Sequence, residues 1–239
     1  MIYIKLAIYL WMALLSLGLK AAEPGELYTG PEYQKAFHNP EDTDLPNVLL
    51  IGDSISIGYT IEVRKLLRGQ ADVFRIPTNG RYAAFGTKRL KKWLGDREWD
   101  VIHFNWGLWD LCYRNPESEN QGSRDKVNGQ LTATLDQYRK SLEDNVERLQ
   151  ATGAHLIWCE TTPVPEGEAG RFTGDALKYN AIAAEVMKAA GVSTNLLHEH
   201  ASLRIPEIQK AEGDVHFTPE GYAYLAEKVA ETIATVLEN

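Results

Sequence analysis

The stretch Val48-Leu49-Leu50-Ile51-Gly52-Asp53-Ser54-Ile55-Ser56-Ile57-Gly58 decides the fold of this chain. Its four apolar residues, Val48–Ile51, predict a short strand that is buried on both faces, as in a parallel sheet. The strand ends at Gly52, and a helix can begin after Ser54. Ser54 is therefore expected at the carboxyl end of a buried strand, where open α/β sheets bind ligands. Its hydroxyl offers a nucleophile, and its N–H can face a developing anion.

A base for this serine occurs near the carboxyl end of the chain. Because Gly-Asp-Ser is also an ordinary turn sequence, the role of Ser54 depends on such a partner. His216 lies just before Thr218 and Pro219, which are a good N-cap and a good first residue for a helix. His216 is therefore expected on the loop before the last helix. A serine after the first strand and a histidine before the last helix resemble the SGNH/GDSL hydrolase family.

The resemblance covers about residues 46–235 and includes further motifs. Gly52–Ser56 is similar to the nucleophile block of the family. Gly80 follows the second predicted strand, Val73–Ile76, and matches the glycine whose N–H donates to the oxyanion. Asp214-Val215-His216 resembles the block that carries the base. The resemblance implies a single three-layer α/β/α domain with about five parallel strands, and a serine esterase that uses no metal or other cofactor.

The third block departs from the family pattern. The family has Gly-x-Asn-Asp, whereas this chain has Gly107-Leu108-Trp109-Asp110. The missing asparagine amide has two candidate replacements. Trp109 can donate through its indole N–H, and Asn105 would share a strand face with residue 109. We favour Asn105; both residues are also ordinary core residues. The implied oxyanion hole combines Ser54 and Gly80 with Asn105 or Trp109.

The acid that orients the histidine is also displaced. The family spaces this block as Asp-x-x-His, but Gly213 occupies that position here. Asp214, two residues before His216, lies on the same side of an extended segment and can reach the imidazole. We expect Asp214 to fix the imidazole tautomer. Glu212, or a dyad of Ser54 and His216 alone, is the alternative.

Aromatic residues near these blocks indicate the substrate class. Tyr82, Trp106 and Tyr113, together with Arg81, are expected to bind substrate, because aromatic faces beside polar loops suit sugar rings. An acetyl or other short acyl ester on a carbohydrate is the favoured substrate. A lipase, lysophospholipase or thioesterase is the alternative within the same fold. A carbohydrate-binding relative with impaired chemistry is an alternative of a different class.

The charge of the chain limits its partners. The 239 residues carry a formal net charge of -8, which gives no support for binding nucleic acid or an anionic membrane. A strongly anionic substrate would need a local basic patch, and Arg81, Arg114 and Arg124 are candidates for one. The polar loops 112–130 and 162–175 are expected over the rim that holds Ser54, and to influence substrate choice.

The amino terminus resembles an export signal. Lys5 precedes an apolar run, Leu6–Leu19, which is too short to span a bilayer comfortably. We expect a signal peptide over residues 1–22, an arm over 23–45 and the hydrolase domain over 46–239, although an uncleaved anchor is the alternative. The protein is thus expected to be periplasmic or secreted, with no stable membrane insertion after processing. Pairing of Cys112 with Cys159 remains open, and the sequence does not specify an oligomeric state.

Alternating strand and helix patterns support a parallel sheet. The segment His198-Glu199-His200 superficially resembles a metal cluster but is a weak signal. Strands are predicted over Val48–Ile51, Val73–Ile76, Val101–Trp106, His155–Thr161 and Val192–Leu196. Helices are predicted around Ile61–Leu67, Thr87–Leu94, Leu131–Leu149, Ala176–Ala190 and Pro219–Leu237.

Overall fold

The structure is a computed structural model that describes residues 30–238. The predicted signal peptide, residues 1–22, and the first part of the arm lie outside the described residues. Within residues 30–238, no helix is both long enough and apolar enough to cross a bilayer.

The core is a five-stranded parallel sheet whose strands lie side by side in the order Asp72–Arg75, Asn47–Ile51, Val101–Phe104, His155–Cys159 and Ser193–Asn195. Its strands consist largely of the apolar runs read from the sequence, and Val48 pairs with Val73 on one side and Val101 on the other. The strands are β1 (Asn47–Ile51), β2 (Asp72–Arg75), β3 (Val101–Phe104), β6 (His155–Cys159) and β7 (Ser193–Asn195). A two-stranded hairpin, β4 (Tyr113–Arg114) and β5 (Gln130–Leu131), closes the loop that follows β3.

Helices pack in two groups and form the outer layers of the predicted α/β/α domain. The first group comprises Gln34–Phe37, Ser54–Leu66, Leu197–Ser202 and Pro219–Leu237. The second group comprises Ala83–Thr87, Leu135–Gln150 and Asp175–Ala190, and the short helix Leu90–Leu94 lies near the start of β3 in sequence. The fold prediction is confirmed.

The helix that follows β1 starts at Ser54, seven residues earlier than its predicted start at Ile61 (54 against 61). Its first turns contain β-branched residues and Gly58, which are poor helix formers, so packing on the rest of the domain stabilises them. A Cβ atom at Gly58 would lie 2.2 Å from the ring of Tyr222. The glycine therefore allows this helix to contact the helix Pro219–Leu237.

Other differences are local. The predicted helix Thr87–Leu94 is two short helices, and β3 ends at Phe104 rather than at residue 106. The helix Leu197–Ser202 was not predicted. Within it, His200 stacks on Tyr224 with ring centroids 4.0 Å apart. Within residues 30–238 no three His, Cys, Asp or Glu side chains are grouped to hold a metal ion.

The described part of the arm packs on the domain. Arg64 donates hydrogen bonds to the carbonyl groups of Lys35 and Ala36 at 3.0 and 3.2 Å. Thr43 donates through its N–H and its hydroxyl to Asp72 in β2.

The two cysteines, Cys112 and Cys159, are buried free thiols and form no disulfide with each other.

Candidate active site

Three side chains form a continuous chain of hydrogen bonds at the carboxyl edge of the sheet. Ser54 Oγ lies 3.0 Å from His216 Nε2, and His216 Nδ1 lies 2.6 Å from Asp214 Oδ1. The serine and the histidine are 162 residues apart in sequence, so the fold brings them together. A hydroxyl, an imidazole and a carboxylate in this order can perform nucleophilic catalysis.

The turn after β1 positions the serine. Asp53 is the N-cap of the helix, and its Oδ1 accepts a hydrogen bond from the N–H of Ile55 at 3.0 Å. This cap ends the strand and starts the helix at Ser54. Because Ser54 is the first helical residue, its N–H has no acceptor within the helix. That N–H is available to a negatively charged oxygen.

Arg75, at the end of β2, ties this turn to the neighbouring strand. Its Nη2 donates to Gly52 O at 3.0 Å and to Ser56 Oγ at 2.6 Å. Arg75 is buried, and burial lowers its pKa to about 9. Sequence reasoning missed this residue, although an arginine inside the apolar run Val73–Ile76 is a usable signal.

The loop before the last helix positions the histidine. Lys210 N–H donates to His216 O at 2.9 Å, and Gln209 and Phe217 form an isolated antiparallel bridge. Thr218 then caps the helix as predicted, through a hydrogen bond that its side chain accepts. The histidine is thus held between a short backbone pairing and a helix start.

Asp214 Oδ1 accepts a second hydrogen bond, from the backbone N–H of His216 at 3.0 Å. Burial alone would raise the pKa of Asp214, but the hydrogen bonds and the charge of His216 outweigh it and lower this pKa to about 2. Asp214 is therefore ionised at neutral pH and holds the proton on Nδ1, which leaves Nε2 free to accept the proton of Ser54. Glu212, the alternative acid, is exposed.

Two other buried carboxyl groups organise the backbone around the serine. Burial raises the pKa of Asp53, whose Oδ2 has no hydrogen-bond partner among the described residues. Burial also raises the pKa of Asp110 well above its ordinary value. Asp110 accepts the N–H of Ala83 at 3.0 and 3.2 Å. Both side chains stabilise helix starts.

The structure does not support Gly80 as an oxyanion donor. Its N–H donates to Gly52 O at 2.8 Å, so this donor is already occupied. A Cβ atom at position 80 would lie only 2.6 Å from the same oxygen. Glycine is therefore required here because two backbone segments approach closely.

The preference for Asn105 over Trp109 also disagrees with the geometry. Asn105 Nδ2 donates to Cys159 O at 2.7 Å, and Asn105 lines a different pocket from Ser54. Trp109 lines the same cleft as Ser54. No residue in 30–238 accepts a hydrogen bond from its indole N–H, so Trp109 is the better-placed side-chain donor.

Two of the residues predicted to bind substrate lie elsewhere. Trp106 is fully buried, and its indole N–H donates to Gly80 O at 3.2 Å, so it is a core residue. Tyr113 lines a separate groove with a volume of about 430 Å³, together with Tyr179. Both predictions were wrong because they assumed that residues near the third block in sequence are also near the site in space.

The other two, Arg81 and Tyr82, do not line the cleft. The guanidinium of Arg81 is 5.8 Å from the ring centroid of Trp109. Tyr82 packs on Phe85, with ring centroids 5.8 Å apart. Arg81 therefore contacts a residue of the cleft, whereas Tyr82 is not among the residues that line it.

The cleft contains a pair of arginines, Arg124 and Arg171, of which the sequence analysis named only Arg124 as a candidate for a basic patch. The volume open to water-sized spheres is about 20 Å³, close to the space that one buried water needs. Arg124 and Arg171 line it beside Ser54, and both form ion pairs with Glu168 at 2.7 and 2.8 Å. These residues come from the two long loops, so their meeting has no local sequence signal.

Comparison with solved structures establishes the fold. The acetyl xylan esterase AlAXEase matches with a TM-score of 0.63 at 18% identity, over 78% of this chain and 99% of that one. A GDSL-like lipase from Parabacteroides merdae ATCC 43184 matches with a TM-score of 0.64 at 14% identity, over 82% and 100%. Axe2, an acetylxylan esterase from Geobacillus stearothermophilus, matches with a TM-score of 0.61 at 16% identity, over 79% and 94%.

No family model and no curated protein matches the chain. The fold is nevertheless that of GDSL-like lipases and acetyl xylan esterases, so the resemblance inferred from the motifs is confirmed at the level of fold.

Proposed function

We propose that this protein is a serine ester hydrolase. The hydrogen-bond chain from Ser54 through His216 to Asp214, with distances of 3.0 and 2.6 Å, carries the proposal. A protein that only binds its ligand has no need for an aligned nucleophile, base and acid. The fold, shared with esterases and lipases at TM-scores of 0.61 to 0.64, supports the same activity.

In the first half of the reaction, Ser54 Oγ attacks the ester carbonyl carbon while its proton moves to His216 Nε2. The negative charge on the carbonyl oxygen is stabilised by the N–H of Ser54 and the indole N–H of Trp109. The intermediate collapses by breaking the bond to the alcohol oxygen. Protonated His216 gives its proton to that oxygen, and an acyl-enzyme remains.

In the second half, a water molecule attacks the acyl carbon while His216 accepts its proton. Collapse breaks the bond to Ser54 Oγ, which takes the proton back, and the carboxylic acid leaves. Asp214 stays ionised throughout and stabilises the imidazolium in each half.

The test is hydrolysis of 4-nitrophenyl acetate by the wild type and by Ser54→Ala. We expect the variant to lose at least about 10³-fold in kcat, because the nucleophile and its proton path are removed. Ser141→Ala, a matched change on the helix Leu135–Gln150, should retain the wild-type rate. Equal background rates for all three proteins would instead favour a binding protein.

We infer that the substrate carries a short acyl group, such as acetyl, on a carbohydrate. The cleft beside Ser54 is narrow, with a volume of about 20 Å³, which favours a short acyl group next to the nucleophile. Two of the solved structures with this fold are described as acetyl xylan esterases. A series of 4-nitrophenyl esters should show a steep preference for acetate, and acetylated glycans should release acetate. An optimum at about eight carbons would support a lipase or thioesterase instead.

We propose that the protein is exported. The basic residue Lys5 followed by the apolar run Leu6–Leu19 supports this. Expression of the full chain should yield a mature product with a new amino terminus between residues 20 and 30, outside the cytoplasm. Retention of the full-length chain in the membrane fraction would indicate an uncleaved anchor.

A further inference from the structure

Two guanidinium groups stand in the cleft of a protein that is acidic overall. Arg124 and Arg171 line the cleft that contains Ser54, whereas the whole chain has a formal net charge of -8. Scattered surface arginines need no explanation. Here, however, one arginine is almost completely buried, with an exposed fraction of 4%, next to the proposed nucleophile.

A single carboxylate holds both arginines. Glu168 is fully buried, and its Oε1 accepts hydrogen bonds from Nη1 of Arg124 at 2.7 Å and from Nη1 of Arg171 at 2.8 Å. Its Oε2 accepts the N–H of Gly170 at 2.7 Å. One negative charge therefore faces two positive charges.

The remaining nitrogens are available to a ligand. The Nε atoms of Arg124 and Arg171 donate to Gln121 O and Leu108 O at 2.9 and 2.6 Å. Among residues 30–238, the Nη2 atom of neither arginine has a hydrogen-bond partner, and neither atom is fully buried. Each guanidinium is thus fixed by two bonds and keeps one nitrogen that no described residue binds.

The other acid in the cleft does not cancel this charge fully. Asp53 lines the same cleft, but burial raises its pKa, which favours its neutral form. The cleft wall adds positive charge, because the guanidinium of Arg114 lies 4.1 Å from the ring centroid of Trp109. A preorganised pair of guanidinium donors is the group that proteins use to bind planar or tetrahedral oxyanions.

We propose that Arg124 and Arg171 form an anion-binding subsite, and that the substrate carries a carboxylate or sulfate group close to the scissile ester. This inference rests on the proposed esterase function and specifies its substrate. A uronic acid, a sulfated sugar and a dicarboxylic acyl group all present this chemistry. Each places a negative oxygen within a few bonds of the ester.

Matched substrate pairs test the subsite and distinguish the sources. The first comparison uses acetylated methyl glucoside as the neutral sugar, with acetylated methyl glucuronoside and acetylated methyl glucoside 6-sulfate as its anionic counterparts. The second comparison uses 4-nitrophenyl butyrate as the neutral ester and 4-nitrophenyl hemisuccinate as its anionic counterpart. We expect at least one anionic member to be preferred by about tenfold or more in kcat/KM, because a charge-assisted hydrogen bond contributes that much. The preferred pair identifies the source of the anion. Increasing salt should reduce the preference.

Variants of the two arginines test whether these residues cause the preference for anionic substrates. Arg124→Gln should reduce the preference to about twofold or less, because kcat/KM falls more for the anionic substrates than for the neutral ones, and Arg124→Lys should lose most of the preference because the planar fork is gone. Arg171→Lys provides a second, charge-conserving variant at the buried position. Arg139→Gln removes the same charge from an exposed ion pair with Glu185 on another face and should change nothing.

The outcomes separate the two proposals. If neither neutral nor anionic esters are hydrolysed by the wild type, the proposed function fails. If neutral esters are hydrolysed and no anionic partner is preferred, only the subsite fails. The subsite also fails if Arg124→Gln lowers the rates for neutral and anionic substrates equally, since the arginine would then act on every substrate alike.

Discussion

Asp214 Oδ1 accepts two hydrogen bonds from one residue, from Nδ1 of His216 at 2.6 Å and from its backbone N–H at 3.0 Å. Because both donors belong to His216, a single carboxylate oxygen fixes the imidazole ring and the backbone of this residue. The spacing of two residues, rather than the three of the family pattern, allows this double contact, because an aspartate side chain commonly accepts the backbone N–H two residues further on in an Asx turn.

Asp214→Asn should lower kcat for 4-nitrophenyl acetate by about 10³- to 10⁴-fold, because an amide stabilises the wrong tautomer and leaves the imidazolium unpaired. KM should change little. Glu212→Gln is the matched control, since Glu212 is exposed two residues away and should keep its activity. If the effects of these two changes were reversed, Glu212 would be the orienting acid.

The stability of the fold should depend on pH through Asp214. Its pKa of about 2 in the folded protein lies below the ordinary value of 3.8, so its ionised form stabilises the folded state. That contribution is complete above about pH 4 and disappears as the pH falls towards about 2. Allowing for partial exposure, it amounts to about 1 to 2 kcal/mol.

Denaturant unfolding of the wild type and Asp214→Asn at several pH values measures this. The difference between their free energies of unfolding should shrink as the pH falls below about 4. A difference that does not change with pH would contradict the assignment of the low pKa to Asp214.

Trp109→Phe should lower kcat by about 10²-fold with little change in KM, because the indole N–H is lost while the ring is retained. Trp93→Phe is a matched control, since Trp93 is exposed to the same extent, 7%, but does not line the cleft. A wild-type rate for Trp109→Phe would show that another group donates the hydrogen bond to the oxyanion.

Arg75→Met should lower the free energy of unfolding by at least about 3 kcal/mol, because several buried acceptors lose their donor. The rate of ester hydrolysis should fall as well, since Arg75 holds the turn that carries Ser54. Denaturant titration and steady-state kinetics measure the two effects. Arg68→Met, at an exposed position, should show neither.

The sequence was sufficient where the information is local. The apolar run Val48–Ile51 and the cap and proline after His216 determine a strand and a helix start by short-range chemistry. The end of the apolar run at Gly52 predicted Ser54 at the carboxyl end of the strand, and the helix does begin there. The five strands of the central sheet are parallel, as the alternation of strands and helices predicts.

The sequence was insufficient where residues that are far apart in the chain come into contact. Arg124 and Glu168 are 44 residues apart and come from two irregular loops, so no period or motif connects them. Gly80 was assigned from the family pattern, but its N–H is occupied by the backbone of Gly52. Trp106 was assigned from its neighbours in sequence, although the strand end turns its ring into the core.

The contact between Gly58 and Tyr222 has a consequence for how the site is held. Ser54 begins one of the two helices that meet there, and His216 stands just ahead of the other. The distance between the hydroxyl of Ser54 and the imidazole of His216 therefore depends on how these two helices pack against each other, more than on either loop alone. A shift of the carboxyl-terminal helix would therefore separate the two side chains, even with both loops unchanged.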